Sequence, residues 1–263
     1  MPFTRLFQAC WPLHKGMNET ADAPPSPLLP FEEQIRALHG SRTFFDPRAF
    51  AWTQALESHW ADIRNELDAV LCALALLPGF EDIQVEEAVI SNDRRWKILP
   101  FVAYGHRVQQ NLQRCPATAR ALALIPGLRA AMFSIFEAGK TVPEHRGPYG
   151  GVLRYHLGLK VPTPEEQCGI CVGGDIRHWG HGQSLVFDDT HPHHAWNHSA
   201  ESRVVLFVDF DRPLPAGLRE HNETIIQRLG AEPFITDAVA RWQGWEAVYG
   251  ERLNAAVGAF KQR

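Results

Sequence analysis

The chain reads as an α+β protein in which a β-sandwich or barrel core packs against flanking helices. Two observations carry that expectation. Apolar residues recur at three- and four-residue steps early in the chain and again near its end, and the period changes to two between about residues 131 and 210. A third observation narrows it: neither a GxGxxG nor a Walker A pattern occurs, which argues against a nucleotide-binding α/β fold.

Residues 1–30 include Ala23-Pro-Pro-Ser-Pro-Leu-Leu-Pro30 and show little periodicity, so a tail or loosely packed arm is expected before one domain over 31–263. Between Asp46 and about Leu77, Phe50, Trp52, Leu56, Trp60, Ile63 and Leu67 fall on one helical stripe, with Asp46-Pro47 as cap and first turn. A second helix, Ala117 to Leu124, stops at Pro126-Gly127. Strands are expected over Ala131–Phe136, Val152–Val161, Ser184–Asp188 and Arg203–Phe210, separated by Gly, Pro, Asn and Asp. Helical spacing returns with Ile225, Leu229, Val239, Trp242, Trp245 and Val248, and no internal repeat is found.

Composition excludes several function classes. The 263 residues are 45% hydrophobic and 21% charged, and 15 Phe and 8 Trp supply ample apolar area for a core. A net charge of −4 lacks the basic excess of a nucleic-acid-binding surface. No run approaches the roughly 18–20 apolar residues that span a bilayer. Polar residues interrupt Met1–His14, where a secretory signal needs about 7–15 continuous apolar residues, so a cytoplasmic protein without a transmembrane segment is expected. The five cysteines are scattered, and Cys168-Gly-Ile-Cys171 has no second pair to complete a zinc site; two reduced thiols on or near a strand are expected.

Histidine is the informative residue type, with eight of the 13 between His145 and His198. His145 lies in a turn leading into a strand and His193 in a turn leaving one. Two imidazoles far apart in sequence, each at a strand edge, are what the mouth of a β-barrel would bring together around a metal. The usual non-haem iron site adds a carboxylate as His-x-Asp/Glu, but here that position is Gly147. Such a site depends on a chelating co-substrate. His191 and His194 compete with His193, and spacing alone leaves them open. Arg154 and His156 alternate on one strand, Arg203 opens another, and Ser134 precedes His145. Aimed into one apolar cavity, these four side chains form a receptor for a dicarboxylate.

The chain resembles the aspartyl/asparaginyl β-hydroxylases, Fe(II)- and 2-oxoglutarate-dependent oxygenases on a double-stranded β-helix (jelly-roll, cupin-like). The resemblance rests on Ser134 followed by His145-Arg-Gly-Pro148, then Leu153-Arg-Tyr-His-Leu-Gly-Leu159, Leu185-Val-Phe-Asp-Asp189, His193-His-Ala-Trp196 and Arg203 to Asp209. It covers roughly Asp46 to Pro213. It implies that His145 and His193 ligate iron and that Ser134 and Arg203 hold the distal carboxylate of 2-oxoglutarate. Arg154 and His156 would hold the chelating end, and Trp96 would lie near the site. Asp189, four residues before His193, is expected to support the metal's water.

The expected reaction consumes O2 and 2-oxoglutarate, hydroxylates a C–H bond and releases succinate and CO2. The first expectation for the substrate is the β-carbon of an Asp/Asn-type residue or amino acid, whether peptidyl, carrier-bound or free. Alternatives are the acyl chains of bacterial lipids, a halogenase that places chloride beside Gly147, and a non-catalytic barrel that binds metal or 2-oxoglutarate.

Overall fold

The computed structural model describes residues 29–262. Residues 1–28, most of the expected arm, lie outside the described residues. Among those described, β1 (Phe44–Phe45), β2 (Trp96–Ala103), β3 (His106–Arg107) and β4 (Leu128–Phe136) precede β5 (Thr141–His145) and β6 (Val152–Lys160). β7 (Cys168–Val172), β8 (Asp175–Arg177), β9 (Ser184–Phe187), β10 (His193–Asn197) and β11 (Arg203–Asp211) follow. They form a large antiparallel sheet in the order β1-β9-β6-β11-β4-β2-β3 and a small one in the order β5-β10-β7-β8.

From β4 onward the chain alternates between the sheets: β4 and β6 lie in the large one with β5 between them in the small one. β7 and β8 then lie in the small sheet, β9 in the large, β10 in the small and β11 in the large. Two sheets wound together in this way make a double-stranded β-helix, so the α+β jelly-roll expected from the sequence is the fold observed. Val172, Trp179, Phe187, Val205 and Phe207 are buried between the sheets.

The helices cover what the small sheet leaves. They are α1 (Leu29–His39), α2 (Trp52–Ser58), α3 (Trp60–Leu71), α4 (Phe80–Ile83), α5 (Gln109–Arg114), α6 (Pro116–Leu122), α7 (Ala216–Gly230) and α8 (Pro233–Lys261). On α3, Ile63, Leu67 and Val70 recur at helical spacing and are buried in one cluster with Leu157, Leu206 and Val208, the outward residues of β6 and β11. Phe31 and Ile35 of α1 pack with Tyr149 and with Ile225 and Leu229 of α7. None of the described helices is long and apolar enough to cross a membrane.

The expected single helical run from Asp46 breaks into pieces. Asp46 accepts the backbone N–H of Arg48 at 3.0 Å and caps only a short 3-10 turn, Pro47–Ala49. His59, at φ −88° and ψ 1°, separates α2 from α3. The stripe continues across this break, so periodicity registers the buried face but not the interruption. Gly127, at φ +64°, makes the turn from the α6 segment into β4 that Pro126-Gly127 signalled. His145 ends β5 and His193 begins β10, so both stand on strands where turns were expected.

Candidate active site

Strand register sets the inner face of the large sheet. Arg203, Val205, Phe207 and Asp209 of β11 lie opposite Phe136, Ser134, Met132 and Ala130 of β4. On the other side, Phe207 and Asp209 face His156 and Arg154 of β6. Side chains alternate along a strand, so Ser134, Arg154, His156 and Arg203 all project to one side. Trp96 of β2 lies opposite Phe136 and joins them.

Arg203 is 1% exposed and has no acidic partner among the described residues. Its Cζ lies 3.8 Å from the centre of the Phe136 ring and 4.4 Å from that of Trp179. Nε and Nη1 lack any hydrogen-bond partner, and desolvation pulls the guanidinium down to about 9. A buried cation left in this state is costly, and an anion in the space beside it would relieve the cost. Ser134 and His156 face the same space. The Trp96 indole donates to Ser134 Oγ at 3.0 Å, which leaves the hydroxyl proton for another acceptor. The Trp179 indole donates to His156 Nδ1 at 3.3 Å, so the ring proton sits on Nε2, a buried donor with no partner. Burial, with Arg203, Arg154 and His193 nearby, holds His156 neutral, well below the usual histidine range.

Arg154 departs from expectation. It is not a free guanidinium: Nε and Nη2 donate to Asp209 at 2.8 and 3.1 Å, and Nη1 pairs with Asp189 Oδ2 at 2.9 Å. Alternation placed Arg154 on the correct face, but the counterions come from β11 and from the turn before β10, which periodicity within β6 does not register. Arg154 therefore positions Asp189 rather than waiting for a ligand's carboxylate.

His145 and His193 are cross-strand partners, with ring centroids 4.1 Å apart. His145 Nδ1 donates to the Pro143 carbonyl at 2.9 Å and His193 Nδ1 to the His191 carbonyl at 3.0 Å. Each bond fixes the tautomer and leaves Nε2 as the basic nitrogen, as in metal-ligating histidines. Desolvation pulls His145 down to about 4 and His193 well below the usual range, so both lone pairs are available at neutral pH. His194, the next residue on β10, alternates to the opposite face and lies against Trp196.

Gly147 donates its N–H to the Asp189 carbonyl at 2.7 Å, and a Cβ built there would lie 2.1 Å from Asp189 Oδ2. The space of a third ligand arm is thus filled by the Asp189 carboxylate, whose Oδ1 is buried without a partner. No three His, Cys, Asp or Glu side chains among the described residues come together as a metal cluster. The donor set fits a divalent metal of the Fe(II) kind held by two neutral imidazoles, with its other positions left to a chelating keto acid.

Two neighbours of the site escaped the sequence. Trp179 walls Arg203 and orients His156, but a lone tryptophan in a glycine-rich turn carries no spacing signal. Asp209 enters the sequence reading only as the end of the Arg203–Asp209 segment. The thiols of Cys168 and Cys171 are free, and three residues apart on β7 they alternate to opposite faces, with Cys168 donating to Asn197 Oδ1 at 3.0 Å.

A jelly-roll whose mouth pairs two imidazoles beside an acid-free arginine is the architecture of an oxygenase. The chain belongs to the Aspartyl/Asparaginyl beta-hydroxylase family, whose profile matches residues 57–213, and is a hydroxylase-family enzyme. It is 42% identical over 224 residues to the ornithine lipid ester-linked acyl 2-hydroxylase of Rhizobium tropici, covering 85% of this chain and 78% of that one. It is 32% identical to aspartate beta-hydroxylase domain-containing protein 2 of Rattus norvegicus, covering 57% of this chain and 47% of the relative. Against the human aspartyl/asparaginyl beta-hydroxylase the identity is 29%, over 66% of this chain and 23% of the relative, so the chain spans less than half of these animal proteins. Among solved structures it is similar to a Cupin_2 domain of an XRE-family transcriptional regulator from Enterobacter cloacae, with TM-score 0.32 and 13% identity over 45% of this chain and 99% of that one.

Proposed function

We propose that this enzyme is an Fe(II)- and 2-oxoglutarate-dependent hydroxylase acting at C2 of an ester-linked acyl chain of a lipid. The observation that carries the reaction class is Arg203, a water-excluded guanidinium between Phe136 and Trp179 with no internal acid, on the same face as the donor pair of Ser134 and His156. The substrate class rests on the rhizobial relative, which shares more identity over more of both chains than the Asp/Asn hydroxylases do. It replaces the expectation of a peptidyl or amino-acid substrate with the lipid alternative.

In this reading His145 and His193 hold Fe(II) through Nε2. Arg203 and the Ser134 hydroxyl take the distal carboxylate of 2-oxoglutarate, and the His156 Nε2–H donates to the keto acid. Arg154, itself braced by Asp209, holds Asp189 beside Gly147. When bound, the iron supplies O2 activation, which delivers one oxygen atom to the substrate C–H and the other to the keto acid as it leaves as succinate and CO2. The sheets and Trp179 keep water from Arg203. A halide beside Gly147 would meet the Asp189 carboxylate, which disfavours the halogenase alternative.

The test is succinate release by the enzyme with Fe(II), ascorbate and 2-oxoglutarate over a panel of ornithine lipid, Asp/Asn peptides and free amino acids. A lipid product heavier by one oxygen, with one succinate per product, is expected. Turnover of the peptides alone would return the substrate to the Asp/Asn class.

A further inference from the structure

The inner face of the large sheet continues past the anion pocket into a second space. A cavity of about 180 Å³ lies between β2, β4 and β11 on one side and the start of α8 on the other. From the sheet, Ile98, Pro100, Met132 and Phe207 line it. By register these residues share the face of Ser134 and His156. From α8 come Ile235, Ala238 and Trp242. On the face of Met132 and Ser134, β4 presents the small Ala130 where a strand core usually carries a large side chain, and the space it leaves is part of the cavity.

This cavity reaches the Arg154–Asp209 pair that borders the site. Arg154 and Asp209 line it, and Arg154 in turn pairs with Asp189, the residue packed against Gly147. Pro148, three residues after His145, lines it too. A chain whose C2 stands by the histidine pair therefore finds, past the Arg154–Asp209 pair, an apolar space bounded by Phe207, Met132 and α8. At roughly 30 Å³ per water-sized group, this volume takes on the order of six methylenes. Apart from Arg154, Asp209, Gln84, Glu87, Tyr104 and Tyr149, the lining is apolar and suits hydrocarbon.

We propose that this cavity holds the hydrocarbon of the substrate beyond C2, with Ala238 and Trp242 limiting the length of chain accepted. The proposal rests on the lipid reading above, which names the substrate but not where its chain lies.

The test uses Ala238→Phe, which fills the cavity from α8, and a series of ester-linked acyl lipids from butanoyl to octanoyl, with hydroxylated product measured by mass. The ratio of kcat/KM for octanoyl over butanoyl is expected to fall about tenfold or more, because each displaced methylene in an apolar pocket costs roughly that factor. Binding is read separately from quenching of tryptophan fluorescence by 8-bromooctanoate, without iron or keto acid. Quenching is expected in the unaltered enzyme, weaker in Trp242→Phe and lost in Ala238→Phe. If the unaltered enzyme hydroxylates acyl lipids while a folded Ala238→Phe keeps both the chain-length ratio and the quenching, the cavity proposal falls and the proposed function stands. If the unaltered enzyme hydroxylates no acyl lipid, the lipid reading falls and the proposal with it, whatever the quenching shows.

Discussion

Two arginines on one sheet face have opposite surroundings. Arg154, with 16% of its side chain exposed, is held by two carboxylates, Asp189 and Asp209. Arg203, 1% exposed, has aromatic rings on both sides and no acid. Both lie over a ring, Arg154 at 4.2 Å from the Phe207 centroid, so contact with an aromatic does not separate them; the counterion does. A buried cation neutralised within the chain belongs to the framework of the site, whereas one without a counterion gains its charge balance from what binds.

Substitution by methionine sharpens this contrast, since it keeps length and removes charge. Arg203→Met is expected to raise the KM for 2-oxoglutarate by about 100-fold or more, the scale of losing one partner of a buried charge pair. Its melting temperature should hold or rise, because an unpaired buried cation has been removed. Arg154→Met leaves Asp189 and Asp209 buried without a counterion and is expected to cost about 3–5 kcal/mol in urea unfolding. Equal loss of stability in the two variants would break the comparison.

The same contrast marks what the sequence made legible. Alternation on β6 and β11 placed Arg154, His156 and Arg203 on one face, and the registers of β11 with β4 and with β6 agree with that placement. A β-sandwich or barrel core was legible because its strand signals are local, and the jelly-roll followed from the family resemblance; β4, β6, β9 and β11 were read as strands and β7 only as a strand on or near Cys168 and Cys171, while β1, β2, β3, β5, β8 and β10 were passed over. What stayed hidden came from pairings between distant segments. Asp189 reaches Arg154 across the barrel, and Trp179 reaches both Arg203 and His156 from a turn. Single-strand periodicity carries no information on such partners.

Gly147 offers a smaller test at the Asp189 end of the Arg154 network. Because a Cβ there would lie 2.1 Å from Asp189 Oδ2, Gly147→Ala has to displace a carboxylate that Arg154 holds. A loss of about 1–3 kcal/mol is expected, the usual scale of overpacking, together with reduced turnover. Pairing it with Asp189→Gly, which vacates the contact, should recover part of the stability. If Gly147→Ala is as stable as the unaltered enzyme, Asp189 is not held where the Arg154 bridge puts it, and the framework role of Arg154 weakens.

A pH-dependent effect lies at the cavity edge, where Glu87 lines the same space as Arg154 but makes no ion pair with it. Burial pushes its carboxyl up to about 8, and Arg154 offsets this only in part. The folded protein therefore binds this proton more tightly than the unfolded chain, whose carboxyl titrates near the ordinary value of 4.5. Between those two pH values the folded state holds more protons, so this group lowers stability as pH rises, with the loss beginning near 4.5 and complete above about 8. Glu87→Gln removes the titration. Its melting temperature should match that of the unaltered enzyme near pH 4.5 and exceed it by a margin that widens towards pH 8, measured by thermal melts across that range. A margin that stays constant with pH would mean that the carboxylate is already balanced by Arg154, making that arginine a partner to three acids and widening its difference from Arg203.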